Sequence, residues 1–262
     1  MSRTNARIPL EVLAGWQEDD LDRVVPLIAD EAELLPLRSQ LEGTRYVGPD
    51  GARQMAKDLR SDWQDLSFEP DEIHHDDEVV VTIGRLTARP IGGGPPIDSR
   101  IGWRWTLRAG QIAFGQAHSD PDEALRLAGL ANSTGRDVAL VRKHYAAFNR
   151  DDVPGIIDTL DLDVEIVGSD ERAAGARERF RGHHDAARFF AEIKELVADN
   201  EVVILSLEAR PGRVEASVRL RGTLRATERS GSLPAMHFFT IADGLIARIE
   251  TYRPDWRPGV GS

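Results

Sequence analysis

The chain has no cysteine in 262 residues, and aromatic residues make up only 6% of it. Without thiols there are no disulfides, no thiolate metal sites and no cysteine nucleophile, a composition that fits a reducing compartment. Positive charge is also scarce. Lys and Arg number 33 against 44 Asp and Glu, giving a net charge of −11. So acidic a chain lacks the basic surface that nucleic acid or an anionic membrane would require. No apolar run approaches the roughly 20 residues needed to span a bilayer. The opening residues, MSRTNARIPLEVL, lack the apolar stretch of a signal peptide. A hydrophobic fraction of 41% still supplies a packed core. The expectation is a soluble, cytoplasmic protein that uses neither nucleic acid nor membrane as partner.

Metal and phosphate motifs are missing too. There is no H-E-x-x-H, and the pairs His74-His75 and His183-His184 read as surface-turn histidines, so no metal site is expected. Gly92-Gly93-Gly94 does not follow a strand and open a helix, so it reads as a hairpin connection rather than a phosphate loop. No cofactor is implied.

What is present is a repeat. VALVRKHYAAFNRDDVPGII (Val138 to Ile157) places Val138, Val141, Tyr145 and Phe148 on one helix face, then breaks and starts a second helix. LEVLAGWQEDDLDRVVPLI (Leu10 to Ile28) does the same, with Trp16 opposite Phe148 and Leu21 opposite Val153. Each half continues with a short strand, at 32–37 and at 164–167. A glycine-led turn into a helix follows, with Gly48 opposite Gly182 and Tyr46 opposite Phe180. Each half ends in strands closed by a tight turn, Ala109-Gly110 in the first and Asp243-Gly244 in the second. The divisions expected are a first unit over 1–131 with a trailing helix, a linker at 132–136, and a second unit over 137–262.

Helices followed by a curved antiparallel sheet make an α+β cone. KHYAAFNRDDVPGIIDTLDLDVEI and FRGHHDAARFF in the second half, with YVGPDGARQM, WRWTLRAGQIAFGQ and DPDEALRLAGL in the first, resemble the SnoaL-like branch of the NTF2-like superfamily. The resemblance covers nearly the whole chain as two tandem copies. It implies a pocket between helices and the concave sheet face, and units that pair sheet to sheet. On that basis an internal pseudo-dimer and a monomeric chain are expected. The family includes isomerases, cyclases, epoxide hydrolases and non-catalytic binding modules, so fold alone does not fix activity.

The carboxylates that ketosteroid-isomerase-like members use are absent here. Their base position falls at Pro36 and Gly168, and their acid donor near Gly102 and Met236. The tyrosine position on the first helix falls near Val12 and His144, leaving His144 as a candidate proton carrier.

The strand DSRIGWRWTLR alternates, with Ile101, Trp103, Trp105 and Leu107 on one face and Asp98, Arg100, Arg104 and Thr106 on the other. The plain reading sends the tryptophans into the core. The family geometry favours the polar row as pocket lining, with Arg104 as electrostatic anchor beside Asp98. Arg104, Asp98 and His144 are then the catalytic candidates, and Arg100, Thr106, Tyr145, Met236, Phe238 and Ile249 the pocket walls. Trp103, Trp105, His118, His237, Phe239 and Tyr252 are assigned to the interface between units. An Asp–Arg–Asp hydrolase site is incomplete, because the second acid would fall near Ala117 or Thr251. Two functions stay open: a cofactor-independent isomerase, cyclase or hydrolase acting on a small, mainly apolar molecule, or a non-catalytic protein that holds one.

Overall fold

A computed structural model describes residues 2–168 and 179–252. The chain divides into two compact units, 1–135 and 136–262. The first contains α1 (Ser2–Glu18), α2 (Leu21–Val24), β1 (Ile28–Leu35), α3 (Ser39–Glu42), β2 (Tyr46–Val47), α4 (Gly48–Asp62), β3 (Trp63–Asp76), β4 (Val79–Pro90), β5 (Ile97–Arg108), β6 (Gln111–His118) and α5 (Pro121–Leu127). The second contains α6 (Arg136–Phe148), α7 (Val153–Ile157), β7 (Leu160–Val167), β8 (Arg179–Arg181), α8 (Gly182–Leu196), β9 (Val197–Arg210), β10 (Arg213–Leu224), β11 (Arg229–Ala242) and β12 (Leu245–Tyr252).

The two units share one topology. In the first the strands run β2-β1-β6-β5-β4-β3, in the second β8-β7-β12-β11-β10-β9. Only β1–β6 and β7–β12 are parallel among these pairs. The stretch read as a linker is instead a π-helical turn, Ala131–Gly135, leading directly into α6.

Local chemistry explains the shared course. After α1 and α6 the chain turns through Asp19 and Asp151 with φ of 60° and 56°, a conformation that short polar side chains tolerate. The next aspartates, Asp20 and Asp152, cap the second helices by accepting from the backbone N–H of Arg23 and Gly155. Gly48 and Gly182 open α4 and α8 with φ of 64° and 75°. A side chain at Gly48 would place its Cβ 2.4 Å from the Asp30 carbonyl oxygen, so close approach as well as φ selects glycine there.

An amide at the end of the first helix ties helix to sheet in both units. Asn149 donates to the carbonyl of Val202 at 3.0 Å and accepts from its N–H at 2.8 Å. Gln17 accepts from the N–H of Phe68 at 2.9 Å. Each helix face then packs on its own sheet: Val138, Val141 and Tyr145 over Phe239, Ile246 and Ile249, and Ile8, Val12 and Leu13 over Trp105, Leu107 and Ile112.

Two elements depart from expectation. His74 and His75 are not surface-turn residues; they lie in β3 opposite Val81 and Val80 and are each 1% exposed. The turn is confined to Asp77 and Glu78. β11 begins at Arg229, well before the apolar run at 236–242, so β10 and β11 form a long hairpin. The Ser- and Gly-rich start of β11 conceals it.

Candidate functional site

Each unit holds a cavity between its helices and its sheet, and the two differ in size and chemistry. The first encloses about 390 Å³, the second about 630 Å³. Trp16, Trp63 and Trp103 line the first. Trp103 and Trp105 stack with centroids 4.8 Å apart, and Trp16 lies 6.0 Å from Trp103. Trp105 is wholly buried and donates to the Thr82 hydroxyl at 3.1 Å.

In the second unit the positions matching Leu13 and Trp103 are Tyr145 and His237, and both line the cavity. Their side chains meet, with the Tyr145 hydroxyl 2.9 Å from His237 Nδ1. Burial pushes the Tyr145 phenol well above its ordinary pKa, so it stays a hydroxyl. His144 sits beside it, its Nδ1 2.8 Å from the Thr159 hydroxyl. That hydroxyl already donates to the Ile156 carbonyl. Thr159 must therefore accept from His144 Nδ1–H, which leaves His144 Nε2 unprotonated. Burial, with a smaller contribution from His237, pushes His144 down to about 3 and keeps its imidazole neutral. Phe148, Phe189, Phe190, Phe239 and Ile249 supply apolar wall.

A second difference explains the larger volume. β10 and β11 set Gly222 opposite Gly231 across the cavity wall. The matching pair in the first unit is Ala88 opposite Ile97, both lining its smaller cavity. At Gly222 the place of a side chain is taken by Val197, whose Cγ1 would lie 2.3 Å from a Cβ there, so the added room is at Gly231. A Cβ built on Gly231 meets no atom within 4 Å, so the space beside it is empty.

The residues expected to form the first pocket lie elsewhere. Arg104 is on the opposite face of β5 from Trp103 and Trp105, its guanidinium 4.8 Å over the Phe114 ring and 3.3 Å from Gln116 Oε1. Asp98 is exposed and receives two hydrogen bonds from Arg85, at 2.7 and 2.6 Å. Arg100 donates to Asp71 at 2.8 Å and to Glu72 at 2.5 Å. Thus Asp98, Arg100 and Arg104 do not converge, and neither they nor Thr106 line the cavity. That row shares its face with Gly102, on which α5 packs; a Cβ at Gly102 would lie 2.9 Å from Ala124. The reason is strand parity: the face with the tryptophans buries more apolar area, and it turns toward the helices.

The same correction applies to β11. Met236 and Phe238 do not line the second cavity; His237 and Phe239 do. Phe238 lies 5.7 Å under the Arg213 guanidinium instead. Of the residues assigned to an interface between units, Trp103, Trp105, His237 and Phe239 face the helices of their own unit. Tyr252 is 56% exposed. His118 is buried with Nδ1 3.6 Å from Glu123 of α5, and burial lowers its pKa against the opposing pull of Glu123. Tyr145, Ile249 and His144 are the expected site residues that the cavity brings together.

Gly222 and Gly231 were not singled out from sequence, and His237 was assigned to an interface rather than to the cavity. The spacing that sets Asp243-Gly244 against Ala109-Gly110 also sets Gly222 and Gly231 against Ala88 and Ile97, and that alignment carries the signal. Among the described residues no group of three or more His, Asp or Glu is placed to hold a metal ion. No described helix is long and apolar enough to cross a membrane.

A family model described as a SnoaL-like domain matches the chain twice, over residues 10–114 and 141–249. No curated protein matches it. Similar solved structures each cover about half of this chain. One is an NTF2-like protein from Burkholderia xenovorans LB400, at 24% identity and TM-score 0.40, covering 46% of this chain and 90% of that one. Another is an NTF2-like protein of unknown function from Burkholderia pseudomallei K96243, at 18% identity and TM-score 0.41, covering 47% and 96%. A third is a hypothetical protein with a ketosteroid isomerase-like fold from Catenulispora acidiphila DSM 44928, in complex with trimethylamine, at 16% identity and TM-score 0.39, covering 45% and 97%.

Proposed function

The chain belongs to the SnoaL-like domain family, in two tandem copies, and from that premise we propose that its second unit binds a small, mainly apolar molecule. The observation carrying this is the Tyr145–His237 pair on the wall of a cavity of about 630 Å³ that is otherwise largely apolar. Such a volume lies within the usual range for ligand sites, in which a few polar groups fix orientation within apolar walls. The pair presents hydrogen-bonding capacity to one polar atom of the ligand, such as a carbonyl oxygen. The first unit, with tryptophans lining a cavity of about 390 Å³, is the smaller-pocketed partner of the duplication.

Holding rather than reacting is the better supported role. Among the described residues no Asp or Glu lines the second cavity. His144, at about 3, is too weak a base to take a proton from carbon near neutral pH. A catalytic reading, in which Tyr145 gives its one hydroxyl proton to a substrate oxygen and is reprotonated from His237 Nδ1–H, rests on their 2.9 Å contact.

The test is binding of the neutral fluorophore N-phenyl-1-naphthylamine to the wild type and to Gly231→Leu. The added side chain enters empty space without a backbone clash, so the fold should survive while the cavity shrinks. Saturable binding that Gly231→Leu weakens at least tenfold supports the reading. Equal binding by a folded Gly231→Leu protein refutes it.

A further inference from the structure

The mouth of the second cavity has a character the rest of the chain does not share. Leu196, Leu224 and Leu233 line the cavity and are 64%, 51% and 53% exposed. Between them stand Arg221 and Arg229, the only charged side chains among the cavity-lining residues described. In a chain of net charge −11, a cavity whose charged groups are both cationic is a local reversal of sign.

Position in the hairpin separates Arg229 from ordinary surface charge. Leu224 pairs with Arg229, Gly222 with Gly231 and Leu220 with Leu233, so Arg229 stands one step beyond the glycine gap on the same face. Arg221, next to Gly222 and of opposite strand parity, is paired with Glu201 across β9 at 3.5 Å. Arg229 has no ion pair among the described residues. By contrast, the arginines lining the first cavity are engaged: Arg38 with Glu42 and Asp62, and Arg60 with Asp19.

We propose that the ligand of the second unit is an amphiphilic anion, whose apolar body lies beneath Gly222 and Gly231 and whose carboxylate meets Arg229. This rests on the binding role proposed above and adds the class of ligand. Guanidinium groups pair with carboxylates through charge-assisted hydrogen bonds, and here the solvent-facing end of the cavity is where a charged head stays hydrated. The exposed leucines accept the part of the chain that leaves the cavity. At the inner end, Tyr145 and His237 remain available to a second polar atom.

The experiment is displacement of N-phenyl-1-naphthylamine by decanoate and by decanol, which share one apolar body and differ in charge. The wild type should favour decanoate by about fivefold at low salt, as expected for a solvent-exposed ion pair. Added salt should reduce that preference without changing displacement by decanol. Arg229→Gln, on an exposed hairpin position, should bring the two ligands to within twofold of each other. Equal displacement by the two in the wild type overturns the proposal, as does a preference that survives in the Arg221→Gln/Arg229→Gln double variant. Either result leaves the binding role intact. If the fluorophore binds Gly231→Leu as well as wild type, the binding role itself has failed, and with it the proposal.

Discussion

His144 is a buried histidine whose neutral form the second unit needs, and acid should expose that dependence. The imidazole is packed among the rings of Tyr145, Phe190 and Phe239, faces His237 from β11, and is bonded to Thr159. Burial holds it at about 3 in the native state, against 6.5 for an unperturbed histidine. Between these values the unfolded chain binds a proton that the folded chain does not. Stability therefore rises with pH across this window and is lost as pH falls below 6.5. At pH 7.5 both states are neutral and the effect is nearly absent. At pH 5 the unfolded state gains about 2 kcal/mol from this one group.

The perturbation is His144→Asn, which keeps a polar side chain near Thr159 and removes the titration. Urea unfolding at pH 7.5 and pH 5 gives four stabilities. The wild type should lose about 2 kcal/mol more than the variant over that interval. Comparing the two proteins cancels groups they share, such as His118 and Asp137. The imidazole ¹⁵N shifts of His144 should also remain those of a neutral ring with Nδ1 protonated at pH 5. Equal losses in the two proteins, or a protonated His144 at pH 5, would refute the argument.

Two further perturbations test how the units are built. Asn149→Ala removes both hydrogen bonds to the backbone of Val202 and should cost about 2 kcal/mol in urea unfolding. Gln17→Ala removes the one backbone bond of its counterpart, from the Phe68 N–H, and should cost about half as much. Gly48→Ala should destabilise more than Gly182→Ala, as read from thermal melting. Both need a positive φ, but only at Gly48 would the Cβ come within 2.4 Å of a backbone oxygen, against 3.3 Å at Gly182.

The architecture was legible because it rests on local chemistry that occurs twice. The helix faces, the aspartate caps, Gly48 and Gly182, and the turns at Ala109-Gly110 and Asp243-Gly244 each leave a mark within a few residues. The site was less legible, because strand parity decides it and parity is a tertiary choice. Both faces of β5 and β11 offer plausible linings, and only packing against α1 and α6 selects Trp103 and His237 over Arg104 and Phe238. The partners that settle Arg100 lie 29 and 28 residues away in β3, beyond any local pattern. His74 was read as exposed for the same reason. Its strand neighbours give no sign of burial, while Glu72, 3.2 Å from its Nε2, supplies the polar contact a buried imidazole requires.

The most direct test of the central claim, that the second unit holds the ligand, is to map amide ¹⁵N–¹H shifts as N-phenyl-1-naphthylamine is added. The glycine signals of Gly222 and Gly231 and the amides of His237 and Phe239 should move together with one saturation curve, while those of Ala88, Ile97 and Trp103 stay in place. Movement confined to Ala88, Ile97 and Trp103 would place the ligand in the first unit and contradict the claim.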